Sequence, residues 1–208
     1  NSGESSLFDL TRDSVIEDNP NEIFYDIGSG WSFDIPYVRY IGYNAYLDRG
    51  LWEINYGASG SDIVTHFGNR DTKSGTTFKN DKNENKQFYF AIDEFTSGQY
   101  NSVVMLEYQN GLKMYFAEEG MLLGQVDRYG NTIRYEYEEV TLPREEGNGL
   151  SLPRTRYRLK RVIDTLGRNI YFQYNTNSVT VSVTDNGKTK QIVYGFTKVT
   201  DLTSLRPE

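Results

Sequence analysis

Apolar and polar positions alternate with a period of two through most of the chain's second half. The clearest alternation follows a turn. "VDRYGNTIRYEY" (126–137) and "IDTLGRNIYFQY" (163–174) both read apolar-Asp-x-x-Gly-polar-x-Ile-x-aromatic-x-Tyr. In the first half of each copy, Asp127 and Asp164 can accept a hydrogen bond from the backbone two residues on. Gly130 and Gly167 can take the positive φ that closes a tight reversal. In the second half, Ile133, Tyr135 and Tyr137 fall on one face, with Thr132, Arg134 and Glu136 on the other. Ile170, Phe172 and Tyr174 repeat that arrangement. Such alternation is that of a half-buried strand, and β-branched and aromatic residues suit its pleated surface. Each copy therefore predicts one turn feeding one strand.

Two weaker copies flank these. "NGLKMYF" (110–116) carries Gly111, and "NGKTKQIVYGF" (186–196) carries Gly187. The four glycines are separated by 19, 37 and 20 residues. The long step contains "EEVTLPREEGNGLSLPRT", an insertion placed at about 138–155. Removing roughly 17 residues there leaves a period of about 20, the mark of a repeat array whose units bury their apolar faces against their neighbours.

Earlier in the chain the pattern is shorter-ranged. Gly28 and Gly30 mark a bend. Trp31, Phe33 and Ile35 alternate up to Pro36, where a strand is expected to end or to lie on a sheet edge. "AYLDRGLWEINYG" (45–57) predicts a hairpin turning at Asp-Arg-Gly. Short strands are expected near 62–67 and 76–79, with longer ones over 87–93 and 102–108. No segment has helical periodicity. The expected fold is all-β, an antiparallel meander, divided into an N-terminal β region (1–105) and a repeat region (106–208).

Composition narrows the function classes. Apolar content is 37% and mean hydropathy is −0.64, but 17 Tyr and 11 Phe supply area for burial on half-wet β surfaces. A net charge of −7 argues against nucleic acid, which is bound through basic patches. Arg156, Arg158, Lys160 and Arg161 form a small basic run, expected to be a solvated strand face balanced by nearby Glu. With no Cys, disulfides and thiolate zinc sites are excluded. No apolar run of membrane-spanning length is present, so membrane insertion by a helix is not expected. The first residues are not a signal peptide and lack Met, and "TSLRPE" supplies no closing element. The chain reads as a section of a longer polypeptide.

A search for catalytic chemistry yields nothing. His66, in "DIVTHFGN", is the sole His, so a Ser-His-Asp triad would depend on it. "GASGSD" (57–62) is not a nucleophile elbow. "DKNEN" (81–85) begins like a calcium loop but lacks the Gly and Glu at its later positions. Asp127 and Asp164 recur with the turns, which assigns them to structure. No cofactor and no metal are expected. Trp31 and Trp52 are the candidates for stacking on a glycan ring.

"GSGWSFDIP" (28–36) resembles the G-x-G-W-S-hydrophobic-x-hydrophobic-P segment that precedes the repeats of Rhs/YD-repeat proteins. These include bacterial wall-associated proteins and polymorphic toxins. "YFAEEGMLLGQVDRYGNTIRYEY" (115–137) and "LKRVIDTLGRNIYFQY" (159–174) resemble that family's repeat, with Leu123 one residue offset after Gly120. The resemblance covers about 23–40 and 103–196. It implies a β-strip spiralling into a hollow shell one sheet thick, which encloses a C-terminal toxin or displays cargo at the cell surface. The chain has only two full copies and two weak ones, and the family's self-cleavage segment has no counterpart, so autoproteolysis transfers to no residue here. The reading implied is a non-enzymatic structural module, secreted or wall-associated, whose partners are the remaining repeats and a C-terminal domain. The alternative is an adhesion or carbohydrate-binding β module.

Overall fold

The computed structural model describes residues 33–44, 49–66, 74–77, 86–90, 92–142 and 154–195. Trp31, residues 67–73 and 78–85, and Phe196 lie outside them. The described chain is all-β and antiparallel, with one 3-10 turn at Gly57–Ser59. Strands β1 (Tyr37–Asn44), β2 (Arg49–Asn55) and β3 (Ser61–His66) form a three-stranded sheet. The larger sheet has ten strands. It contains β4 (Ser74–Thr77) and β5 (Lys86–Phe90), then β8 (Val104–Tyr108), β9 (Lys113–Phe116), β10 (Leu122–Val126) and β11 (Thr132–Leu142). It continues through β12 (Arg154–Ile163), β13 (Asn169–Asn175), β14 (Ser178–Asp185) and β15 (Lys188–Gly195). A small hairpin, β6 (Thr96–Ser97) with β7 (Tyr100–Asn101), is inserted between β5 and β8.

Every neighbour in the large sheet is the nearest strand of that sheet in sequence. Such a meander needs only short reversals. The division at 105/106 falls inside β8, and β5 pairs with β8, so one sheet runs through it. Two corrections concern the first half. The strand expected to end at Pro36 instead begins after it, at Tyr37. The hairpin expected to turn at Asp-Arg-Gly already has Arg49 and Gly50 in β2, paired with Asn44 and Tyr43.

Register explains the core. Phe88, Leu106 and Met114 are aligned across β5, β8 and β9, and Phe90, Val104, Phe116 and Leu122 across β5 to β10. These two rows pack on Val38, Trp52, Ile54 and Val64 of the three-stranded sheet. Face-to-face burial of two inner faces is how a one-sided sheet is stabilised. Trp52 is thus core, not surface. It is 3% exposed, and its ring meets Phe90 edge-on at 5.1 Å and Tyr40 at 5.3 Å. No face is left for a sugar, which removes Trp52 as a stacking candidate.

A second cluster gathers Met105, Tyr115, Leu123, Tyr137 and Leu159 with Tyr37, Ile92 and Phe95. Phe95 stacks on Tyr115 at 5.0 Å and lies over Gly124, where an added Cβ would come within 2.1 Å of its ring. Gly124 is therefore the seat for Phe95.

Candidate functional site: the repeated course and the open end of the sheet

The two full copies build the same backbone turn. In each, the Asp N–H donates to the carbonyl four residues on (Asp127 to Asn131, Asp164 to Arg168, both 3.0 Å). The Gly N–H donates back to the Asp carbonyl (Gly130 at 3.0 Å, Gly167 at 2.9 Å). The Gly φ values are +85° and +78°. The Asp127 carboxylate accepts from the N–H of Tyr129 and of Asn131, and Asp164 from those of Leu166 and Arg168. Both carboxyls are held below the ordinary carboxylate value. For Asp127 the main cause is its bond from the Asn131 side chain, and for Asp164 its bond from the Arg168 backbone.

Two features of the course were not read from the sequence. Each copy carries a β-bulge four residues before its Asp. Leu123 is the extra residue between Leu122 and Gly124, and Lys160 the extra residue between Leu159 and Arg161. Each copy's last Tyr then reaches back fifteen residues to the bulge. The Tyr137 hydroxyl donates to the Leu122 carbonyl (3.0 Å), and the Tyr174 hydroxyl to the Leu159 carbonyl (2.7 Å). A bulge interrupts the ladder, and the phenol supplies the bulged segment with a donor. The sole sequence signal was a Tyr ten residues after each Asp.

The weaker copies differ in kind. Gly111, with φ +84°, closes the same turn geometry, with Tyr108 in the Asp position. Gly120, which the repeat count passed over, closes it again between Ala117 and Met121. Gly187 does not. It sits in a two-residue Asn186-Gly187 turn with φ of 50° and 73°, and β14 pairs with β15 without a bulge. The insertion at 138–155 is also reshaped. Residues 138–142 and 154–155 extend β11 and β12 as paired strand from Glu138–Arg158 to Leu142–Arg154. On this arm the basic run meets its acids: Arg158 Nε is 2.6 Å from Glu138, and Arg161 Nε 2.9 Å from Glu136.

The predicted aromatic face is continuous across strands. Register aligns Tyr135, Val162, Ile170, Val183 and Lys190 from β11 to β15. Phe172 aligns with Val181 and Ile192, and Tyr174 with Val179 and Tyr194. Ile133, Tyr135 and Tyr137 occupy one face of β11 by alternation, and burial raises the Tyr135 pKa. At the β13 end Phe33 meets the Phe172 ring edge-on at 5.3 Å. Beyond it β14 keeps partial cover, with Val179 buried, and β15 has none. Every residue of β15 is exposed, with Ile192 at 59%, Val193 at 56% and Tyr194 at 54%. β15 is also an end strand of the sheet, with β14 on one side only among the described residues. An apolar row that starts in the core thus runs out to an unpaired edge, with Lys188 and Lys190 at its near end.

No family model, curated protein or solved structure matches the chain.

Proposed function

We propose that the chain is a non-enzymatic structural module that builds a β wall by adding one course to the next. The reading rests on one observation. The same turn, bulge and tyrosine bond are repeated 37 residues apart, and the sheet they build ends in an exposed strand whose apolar row is unfinished. Repeat arrays bury each unit against its neighbour, and an uncovered edge strand is a template for further pairing. The occupant of that edge is a further course of like sequence in the parent polypeptide. The motif resemblance to Rhs/YD-repeat proteins extends the reading to a shell around a C-terminal cargo, at or outside a bacterial cell surface. No residue is assigned a catalytic role.

The test is limited proteolysis of the full-length gene product, followed in time by mass spectrometry. Survival of the segment downstream of the repeats, while cleavage occurs within residues 143–152, is the expected result. Digestion of that segment as fast as residues 143–152 would remove the container.

A further inference from the structure

Strand β15 has an outer side, and its register says which groups face that way. The Asn186-Gly187 turn has two residues, so Asp185 and Lys188 close it as a hydrogen-bonded pair. Pairs then alternate along the ladder. Thr184 with Thr189 is a non-hydrogen-bonded pair, where side chains stand closest, and the two hydroxyls are 2.9 Å apart. Lys190, Ile192 and Tyr194 therefore turn their N–H and C=O groups inward, to Val183, Val181 and Val179. Thr189, Gln191 and Val193 turn theirs outward, to the side where no strand lies among the described residues.

A strand added on that side bonds to 189, 191 and 193. Lys190, Ile192 and Tyr194 then take the non-hydrogen-bonded positions, where facing side chains come nearest. These three positions discriminate between entering strands. Two of them are apolar and continue apolar rows. Lys190 does not: it ends the row of Tyr135, Val162, Ile170 and Val183 with a charge. Its partner Val183 cannot answer that charge, whereas Lys188 stands opposite Asp185. Elsewhere the described sheets set opposite charges face to face across the ladder. Glu107 faces Lys113 at 3.6 Å, Glu138 faces Arg158 at 2.6 Å, Glu136 faces Arg161 at 2.5 Å, and Arg39 faces Glu53.

We infer that the outer edge of β15 selects its partner by charge. It accepts an antiparallel strand that sets a carboxylate opposite Lys190 and apolar side chains opposite Ile192 and Tyr194. The direction continues that of the large sheet, whose strand pairs are antiparallel. Opposite charges across a ladder support pairing and like charges oppose it, so Lys190 also turns away a basic strand. Read along its own chain, the entering strand is apolar-x-apolar-x-acidic. Tyr135-Glu136-Tyr137-Glu138-Glu139 in the first full copy has that order, so a course of like sequence can supply it. The inference rests on the wall reading and names the chemistry of its next strand.

The experiment is a titration of the chain with two synthetic peptides, followed by amide chemical shifts. One peptide has the sequence of residues 132–142, and the other is the same peptide carrying Glu139→Lys. The expected result is saturable movement over residues 188–195 with the first, and binding about tenfold weaker with the second. Lys190→Glu in the chain, at an exposed position, should reverse that order and leave the melting temperature unchanged. Equal binding of the two peptides, or an order that Lys190→Glu does not reverse, would overturn the charge selection and leave the wall reading standing. Absence of movement with either peptide would overturn it as well. So would β15 shifts that move with chain concentration alone, which would make a second copy the occupant. Amides of β15 already protected from exchange in the free chain would remove the wall reading and this inference together.

Discussion

Tyr137 and Tyr174 show what a repeated residue can be for. Each stands at the end of its copy, and each donates to a carbonyl of the strand before it. The environments differ. Tyr137 is buried among Leu123, Leu159 and Tyr37, whereas Tyr174 is half-buried beneath the Arg158 guanidinium, which lies 4.5 Å over its ring. Tyr137→Phe leaves the bulge carbonyl without its donor in a dry site and should cost about 1–2 kcal/mol. Tyr174→Phe lets water replace the phenol and should cost about 0.5 kcal/mol. Urea melts of the two variants check the order. Equal losses would mean that the bonds do not anchor the bulges. Sequence showed that a Tyr recurs ten residues after the Asp. It could not show the role, because a phenol at that offset reads equally as core filling.

At the scale of elements, the turns were the most legible part of the chain and the bulges the least. A positive-φ turn leaves a Gly in the sequence. A bulge leaves no residue-type signature, since Leu123 and Lys160 occupy the same place in two copies. The Gly120 turn, "AEEG", lacks the leading Asp and so carries less of the pattern. Gly187 shares the spacing and the alternation of the others, but its Asn186-Gly187 pair closes a two-residue turn, which Asn110-Gly111 does not. The fate of Trp52 was hidden because alternation gives a face but not what covers it. The glycines also differ in what surrounds them. At Gly130 nothing lies within 4 Å of an added Cβ, so a side chain there meets backbone strain alone. At Gly111 the Cβ would come within 2.7 Å of the Arg128 Cβ, because the two turns are neighbours. Gly130→Ala should therefore cost about 1–2 kcal/mol from its left-handed φ, with Gly130→Val at the upper end. Gly111→Ala should cost more, by the added displacement of the 127–130 turn. Thermal melts of the Ala pair decide it; a Gly111 variant no worse than the Gly130 variant would show that the turns do not touch.

Across the whole molecule, stability is graded along the sheet. From β5 to β10 the strands are packed against the three-stranded sheet or the 92–101 segment. From β13 outward the cover thins, to Phe33 against Phe172 and a buried Val179 on β14, and β15 is exposed throughout. Local opening follows burial and contact density. Hydrogen exchange of the isolated chain should be slowest in β8–β10 and fastest in β15, with β14 between. A β15 protected as well as β9 would mean that the edge is already covered, and the wall reading would lose its growing end. The all-β antiparallel character was legible because turn glycines and period-two alternation agree with each other. The ion pair of Lys86 with Asp62 was not, since 24 residues separate two charges that only the packing of two sheets brings together.

The bulges carry one more consequence. Each adds local twist to the strand that holds it, and here they recur two strands apart, at the same point of each course. Bend is thereby dosed per course instead of being spread along the sheet. In the wall proposed above, curvature would then be set by the unit and not by the length of the strip. Deleting Lys160 would remove one dose, and the strip would straighten at that course.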